Sequence, residues 1–224
     1  MQPLRVLGIA DLHDCIEMLP SVGNLAIDII ALCGDLHNGS DKVQAKPIAE
    51  AIANLGPPVL IVPGNTDSKE VVPDLWRDAG LMMIHCGSSR QGDYGFIGMG
   101  GMVIHNPKRQ GNPARYYFSD SDIYESLVKT NKEVSDLKRR IVLTHQPPFG
   151  ARDVISSGKG TGSKGLRRFV EEYQPDLLLC GHIHEDRGES CIGSTKIVNV
   201  GEMRKGYAAI IEIRDGIDVR WLEP

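Results

Sequence analysis

The stretch PVLIVPGNTD, residues 58–67, joins an unbroken apolar run to a glycine and then to polar side chains. Consecutive Val, Leu and Ile residues without polar alternation are typical of a strand that is covered on both faces, as in a largely parallel β-sheet. Asn65 follows at the predicted carboxyl end of this strand, and open α/β sheets bind ligands outside such ends. The stretch therefore predicts an α/β fold and a candidate site at one edge of its sheet.

Other apolar runs have the same strand-like form. They are LRVLGIA (4–10), AIDIIALC (26–33), RRIVLT (139–144) and DLLLC (176–180). After Arg187, the segments STKIVNV, GYAAIIEI and IDVRWLE are separated by glycine-containing turns, which predicts closely spaced strands without helices between them. The chain thus combines a largely parallel sheet with a helix-poor final third.

The segments between the first runs carry apolar residues at helical spacing. One predicted helix lies near residues 47–55, with Pro47 early and Gly56 just after its end. A second is predicted from about 121 to 137, and a third follows Ser163. These segments are expected to be the crossover helices of the parallel sheet.

The composition narrows the classes of function. The chain has 224 residues with no internal repeat or linker-like segment, so we expect one domain spanning residues 1–224. The net charge of −4 gives no general attraction to nucleic acid or to an anionic membrane. No apolar stretch approaches the roughly 18 residues of a membrane span, and a signal-peptide pattern is missing, so we expect a cytoplasmic protein. The five cysteines form no C-x-x-C motif and are expected to be reduced thiols.

Each apolar run of the predicted parallel sheet is followed by residues that can bind a metal ion. Because the carboxyl ends of parallel strands gather at one edge, we expect these side chains to converge. Residues two apart in an extended segment point the same way, which predicts two pincers, Asp11 with His13 and His182 with His184. The complete set is Asp11, His13, Asp35, Asn65, His145, His182 and His184.

This set offers mixed oxygen and nitrogen ligands. Such a mixture suits Mn, Fe or Zn better than a pure Mg or Ca cage, and it is too large for one structural zinc ion. A two-metal site needs a ligand that bridges, and Asp35, which is central in the order, is the candidate. The expected cofactor is two divalent metal ions, with Mn considered first and Fe, Zn, Ni and Mg as alternatives.

The same residues, in the same order, resemble the motif series of the calcineurin-like metallophosphoesterases. That series is Asp11-x-His13, Gly34-Asp35, Gly64-Asn65, His145 and Gly181-His182-x-His184. A second set of segments is similar to prokaryotic phosphoesterases related to cyclic-nucleotide phosphodiesterases. It comprises GMGG (98–101), THQPPFGARD (144–153), CGHIHEDRG (180–188) and STKIVNVGEM (194–203).

The resemblance implies a fold, a ligand assignment and a reaction. The fold is a four-layer α/β/β/α sandwich with two packed mixed sheets. The first metal ion would be held by Asp11, His13 and His184, the second by Asn65, His145 and His182, with Asp35 bridging them. A metal-bridging hydroxide would attack phosphorus in line, and Asp35, Asn65 and His145 would be the catalytic residues.

The sequence departs from the family beside two of these motifs. Thr66 stands where many relatives have a histidine that assists the leaving group, which favours slow turnover or substrates with good leaving groups. Asp67 would orient that histidine in the family; here it is either a group near the substrate or the N-cap of a helix, with Glu70 completing a capping box. His37 stands near the usual place of an acid and is either a proton donor or substrate contact, or a surface-loop residue.

Two loops carry further candidates for substrate binding. The glycine-rich segment 157–165 fails the spacing of a P-loop, but Lys164 at its end could attract a substrate phosphate; the alternative is a plain flexible loop. Segment 105–121 is either a lid that stacks a base or sugar, or a surface loop whose tyrosines pack on the sheet. Its candidate groups are Lys108, Arg109, Arg115, Tyr116 and Tyr117. His85 and His105 are expected to be structural or solvated.

These features favour a dinuclear-metal-dependent phosphodiesterase. The alternatives are a phosphomonoesterase, including a protein phosphatase, and a metal-binding interaction scaffold with little activity. The expected substrate is a small phosphate ester, with nucleotides and cyclic nucleotides as the first class to test. The sequence gives no membrane or strong nucleic-acid signal and is compatible with a homo-oligomer.

Overall fold

The computed structural model describes residues 3–23, 25–39, 41–104 and 112–224, which form two packed six-stranded sheets with helices on their outer faces. The strands and helices are numbered in chain order below. This architecture confirms the predicted α/β/β/α sandwich with two mixed sheets.

The first sheet contains the strands that begin and end the chain. Its members are β1 (Leu4–Ile9), β2 (Ile29–Cys33), β3 (Val59–Val62), β4 (Met82–Met83), β13 (Ala208–Ile213) and β14 (Ile217–Leu222). The spatial order is β14-β13-β1-β2-β3-β4, with β1 to β4 parallel and the last two strands of the chain added antiparallel. The buried runs predicted for β1, β2 and β3 lie side by side here, so their carboxyl ends share one edge.

The second sheet is built from the middle and later part of the chain. Its members are β5 (Gly87–Gln91), β6 (Tyr94–Met99), β9 (Arg139–Thr144), β10 (Leu177–Cys180), β11 (Gly188–Ile192) and β12 (Thr195–Asn199). The order is β11-β12-β10-β9-β6-β5, with parallel central strands and antiparallel edges. A separate parallel pair joins β7 (Met102–Val103) to β8 (Tyr117–Phe118).

Four α-helices cover the outer faces in the described part of the chain. They are α1 (Lys42–Ala53), α2 (Val72–Asp78), α3 (Asp120–Lys132) and α4 (Lys164–Tyr173). The predicted helix near residues 47–55 begins earlier than expected, at Lys42. The Asp41 side chain caps its N-terminus by accepting a hydrogen bond from the Val43 amide, and Pro47 lies inside the helix. α4 begins at the predicted cap, where the Ser163 side chain accepts a hydrogen bond from the Leu166 amide.

Three apolar cores hold the layers together. The central one lies between the two sheets and includes Val6, Phe96 and Ile141. The first sheet packs against α1 and α2, and the second packs against α3 and α4, each through a separate core. None of the helices in the described ranges is long and apolar enough to cross a membrane.

Candidate metal centre

The first group of potential ligands is Asp11, His13 and His184, which lie at the carboxyl ends of β1 and β10. One potential ligand atom from each residue lies within 4.8 Å of the others. The Asp11 Oδ1 atom is 3.2 Å from His184 Nε2 and 3.7 Å from His13 Nε2. The structure therefore gathers the three side chains assigned to the first ion.

The second group is Asp35, His145 and His182, at the ends of β2, β9 and β10. His145 Nε2 lies 3.4 Å from Asp35 Oδ2 and 3.0 Å from Asn65 Oδ1. Asn65 therefore joins this group at the end of β3. The His145 and His182 rings are 4.8 Å apart, edge to face.

Asp35 lies between the two groups. Its Oδ2 atom is 3.4 Å from His145 Nε2 and 4.0 Å from His13 Nε2, and its Oδ1 accepts a hydrogen bond from the Thr66 amide at 2.8 Å. Burial alone would raise the pKa of Asp35, but the charge and hydrogen bond of His145 outweigh burial and hold it well below its usual value. Asp35 is the carboxylate placed to contact both groups.

Three of the histidines present the same ring nitrogen to these groups. The other nitrogen, Nδ1, lies 2.6 Å from Asn38 Oδ1 in His13, 2.8 Å from the Cys33 carbonyl oxygen in His145, and 3.3 Å from Glu202 Oε2 in His184. An acceptor beside Nδ1 keeps the proton there and leaves the Nε2 lone pair facing the group, which is the tautomer that binds a metal ion.

Asn38 and Glu202 are positioning residues that were not predicted from the sequence. Glu202 is 3% exposed, and Arg204 and Lys205 each approach its carboxylate at 2.5 Å. Burial would raise the pKa of Glu202, but hydrogen bonds from these two cations lower it, so the carboxylate beside His184 stays ionised. Glu202 follows the end of β12 closely, and that strand-end position was the available signal.

The side chains of both groups fit divalent cations. Asp11 is fully buried, yet its Oδ1 atom has no hydrogen-bond partner among the described residues. An unsatisfied buried carboxylate oxygen is costly, and a cation held together with the Nε2 atoms of His13 and His184 would satisfy it. In the second group, burial opposes a charge on His145, but the carboxylate of Asp35 raises its pKa to about 9. The surroundings of both ligand groups therefore favour a positive charge, which a bound divalent cation would supply.

Four of the potential ligands have a left-handed backbone conformation. Asp11, His13, Asp35 and His182 have φ values of 54°, 47°, 54° and 66°. Residues without glycine's freedom rarely adopt this region, and such strain concentrates at functional sites. The backbone turn also corrects one of the two predicted pincers. His182 and His184 belong to different groups, because their segment turns instead of running extended. Asp11 and His13 do share a group.

The glycines before Asp35 and Asn65 allow close approach of the backbone. A Cβ atom on Gly34, where φ is 87°, would lie 2.5 Å from the Gly64 nitrogen and 2.8 Å from His145 Nδ1. The loops after β2 and β3 therefore touch through their backbones, and a side chain at Gly34 would separate Asp35 from His145.

Asp67 is not the helix cap that its spacing from Glu70 suggested. Its fully buried carboxylate accepts hydrogen bonds from the backbone amides of Gly64, Asp35, Leu36 and His37, and α2 begins only at Val72. Burial, followed by the charge of Asp35, raises the pKa of Asp67 to about 6 despite these hydrogen bonds. Asp67 ties the loop after β2 to the loop after β3.

His37 is a buried residue, which excludes its interpretation as an exposed surface-loop side chain. It is 2% exposed, and Nδ1 lies 2.5 Å from Asp14 Oδ1. The other nitrogen, Nε2, has no hydrogen-bond partner among the described residues. A role for His37 as proton donor or substrate contact stays a prediction.

The remaining candidates lie in different environments. Lys164 is exposed, with Nζ 5.6 Å from the centre of the Phe149 ring, and its role toward substrate stays a prediction. Tyr116 is 4% exposed in the core beneath the first sheet, so it packs rather than stacks on a ligand. His85 is structural: Nδ1 accepts a hydrogen bond from the Gly100 amide, and burial and Lys69 lower its pKa to about 4. His105, Lys108 and Arg109 lie outside the described residues.

Comparisons with known proteins identify relatives of this chain. Residues 40–220 match a family model described as metallophosphoesterase, calcineurin superfamily, and Asp11, His13 and Asp35 precede that match. The chain is 30% identical to the protein MJ1162 of Methanocaldococcus jannaschii over 205 residues, which are 88% of this chain and 87% of the relative.

Solved structures show a similar fold. One is TT1561 of Thermus thermophilus, with a TM-score of 0.76 and 17% identity over 98% of this chain and 99% of that one. Another is a dimetal phosphatase from Danio rerio, with a TM-score of 0.64 and 9% identity over 98% of this chain and 96% of that one. At these identities the likeness concerns the fold alone.

Proposed function

This chain belongs to the calcineurin superfamily of metallophosphoesterases, which hydrolyse phosphoric esters, and we propose that it is a phosphodiesterase with a dinuclear divalent metal centre. The observation that carries the proposal is the pair of ligand groups on either side of Asp35. Mn is the first metal to test because the donors mix carboxylate, amide and imidazole, and Fe, Zn, Ni and Mg are the alternatives.

The proposed assignment gives each side chain a task. Asp11, His13 and His184 would hold one ion, Asn65, His145 and His182 the other, and Asp35 would contact both. Bound divalent ions supply Lewis-acid stabilisation of phosphoryl oxygens and lower the pKa of water. The protein keeps the imidazole rings oriented through Asn38, Glu202 and the Cys33 carbonyl.

The leaving oxygen meets no obvious acid at Thr66. The Thr66 hydroxyl is buried and has no hydrogen-bond partner among the described residues, and a hydroxyl is a weak proton donor at neutral pH. If His37 does not supply the proton, the departing ester oxygen would take it from solvent, and either case leaves Thr66 without an acid's role and favours good leaving groups. The preference for good leaving groups supports a diester substrate, and so does the similarity of four segments to prokaryotic phosphoesterases related to cyclic-nucleotide phosphodiesterases. Nucleotides and cyclic nucleotides are the first class to screen.

We expect Mn-loaded protein to hydrolyse bis-p-nitrophenyl phosphate with a kcat/KM at least about tenfold above that for p-nitrophenyl phosphate. Release of p-nitrophenol by each substrate is measured with Mn, Fe, Zn, Ni or Mg after chelation of endogenous metal. Chelated protein is the control and should be inactive. A preference for the monoester would assign a phosphomonoesterase, and binding of metal without hydrolysis of either ester would assign a scaffold.

Thr66→His should raise turnover most on diesters with poor, alkyl-type leaving groups, by about 10- to 100-fold, because a positioned general acid contributes at least that much. Little change is expected with p-nitrophenyl esters, whose leaving oxygen needs no proton. Thr66→Val is the matched control, since it removes a hydroxyl that has no described hydrogen-bond partner. An equal effect of Thr66→His across a series of leaving groups would contradict this account.

A further inference from the structure

Arg115 is a half-buried cation without an ionic partner beside the candidate metal centre. Within the described ranges, its guanidinium donates one hydrogen bond, from Nη1 to the carbonyl oxygen of Thr66. No carboxylate of the described residues forms an ion pair with it, and by sequence the residues outside the description include no Asp or Glu. Burying part of a charge without a counterion is costly, so this arrangement favours an anionic ligand.

The backbone around Arg115 fixes its location. Arg115 forms an antiparallel bridge with Ser68, and the Lys69 amide donates to the Ala114 carbonyl oxygen at 2.9 Å. The next residue, Tyr116, is buried in the core and lies edge to face with His85 at 5.1 Å. The segment that carries Arg115 is thus docked on the loop that follows Asn65.

Thr66 links Arg115 to the proposed bridging carboxylate. The amide of Thr66 donates to Asp35 Oδ1 at 2.8 Å, and its carbonyl oxygen accepts from Arg115. Two hydrogen bonds across one residue place the guanidinium within about 9 Å of the Asp35 carboxylate. A phosphate ester held against the two ligand groups would lie within reach of the remaining guanidinium N–H groups.

We propose that Arg115 is a catalytic residue that binds the non-bridging phosphoryl oxygens of the substrate. A guanidinium presents parallel N–H donors that match two oxygens of a phosphate, and it stays charged throughout the reaction. As the new bond from water to phosphorus forms, the attacking water loses a proton to solvent. The ester bond breaks, and its electron pair leaves with the ester oxygen, which takes a proton from solvent. Arg115 donates hydrogen bonds throughout and transfers no proton. This inference rests on the proposed phosphoesterase function.

A purely structural role predicts different behaviour. If Arg115 only held the Thr66 carbonyl, its removal would disturb Asn65 and lower metal content, and phosphate binding would weaken as a consequence. If it binds the phosphoryl group, metal content stays unchanged while affinity for a phosphate ligand falls. Inorganic phosphate is the simplest probe, because it carries the recognised oxygens and no leaving group.

The test compares Arg115→Met, Arg115→Lys and Arg220→Met, the last being the same exchange at an exposed position on β14. Titration calorimetry of Mn-loaded protein gives the dissociation constant of inorganic phosphate, and metal content and thermal unfolding are measured in parallel. Arg115→Met should weaken phosphate binding about 10- to 100-fold, the size expected for a charge-assisted hydrogen bond. Arg115→Lys should retain part of the affinity, and Arg220→Met all of it.

Low millimolar guanidinium should restore part of the phosphate affinity of Arg115→Met and leave that of wild-type protein unchanged. Equal phosphate affinities for Arg115→Met and Arg220→Met would overturn the inference, and so would a matching loss of bound metal in Arg115→Met. Failure of wild-type protein to hydrolyse any ester would instead overturn the proposed function. Wild-type hydrolysis with unaltered phosphate binding in Arg115→Met would overturn only the role of Arg115.

Discussion

Asp35→Asn should lower kcat/KM for diester hydrolysis by at least about 1,000-fold, because one side chain lies between both ligand groups. Asp35 Oδ2 is 3.4 Å from His145 Nε2 and 4.0 Å from His13 Nε2. An amide has nearly the same shape and keeps an oxygen for the Thr66 N–H, but it puts an NH₂ group where the second oxygen stood. An NH₂ group cannot bind a cation, so the link between the groups is lost.

The exchange is also expected to change the protonation of its neighbour. The Asp35 carboxylate outweighs burial and raises the pKa of His145 to about 9. Without that negative charge, burial dominates and the neutral imidazole is favoured. Asp218→Asn, an exposed exchange of the same kind on β14, is the control and should leave hydrolysis unchanged. Activity of Asp35→Asn within tenfold of wild type would contradict the assignment.

Asp67→Asn should lower the free energy of unfolding by about 2–4 kcal/mol, because it leaves buried backbone donors without an acceptor. Oδ2 accepts from the Gly64 and Asp35 amides at 2.8 and 3.0 Å, and Oδ1 accepts from the Leu36 and His37 amides at 3.2 and 3.1 Å. Asparagine has one acceptor oxygen, so two of these amides would face its NH₂ group. Some of the loss is offset because the repulsion between Asp67 and Asp35 disappears.

Thermal unfolding at pH 8, above the pKa of about 6 for Asp67, measures this effect with the carboxylate ionised. The expected decrease in Tm is about 5–15 °C for a chain of this size. Activity should fall as well, because Gly64 and Asp35 position the two loops of the second ligand group. Asp218→Asn again serves as the control. A decrease of less than about 2 °C would show that the four hydrogen bonds contribute little.

The sheet strands and the convergence of the site were predictable because both depend on local patterns. Unalternated apolar runs identified β1, β2, β3, β9 and β10. The polar residues after β1, β2 and β3 lie at one edge of the first sheet, and those after β9 and β10 lie at one edge of the second, because the strands within each set are parallel. The hairpin of β5 and β6 was not predicted, because β5 reads GSSRQ and lacks the apolar pattern. The division of seven ligands into two groups came from the resemblance, and local spacing alone paired His182 with His184 wrongly.

The supporting contacts were not predictable because they join distant parts of the chain. Glu202 reaches His184 only because β12 lies beside β10, and Asp67 reaches the amides after β2 only because β3 lies beside β2. Sequence alone left a capping role for Asp67 open beside a place near the substrate, since its spacing from Glu70 matches a capping box. The hydrogen bond between His37 and Asp14 likewise joins distant segments, because a left-handed turn after β1 brings Asp14 close.

Metal content per chain tests the central claim most directly. After removal of endogenous metal and equilibrium dialysis against Mn, elemental analysis should find two ions per wild-type chain and at most about one in Asp35→Asn. Asp218→Asn should again match wild type. One ion or none in the wild-type protein, or two ions bound with wild-type affinity in Asp35→Asn, would contradict a dinuclear centre bridged by Asp35.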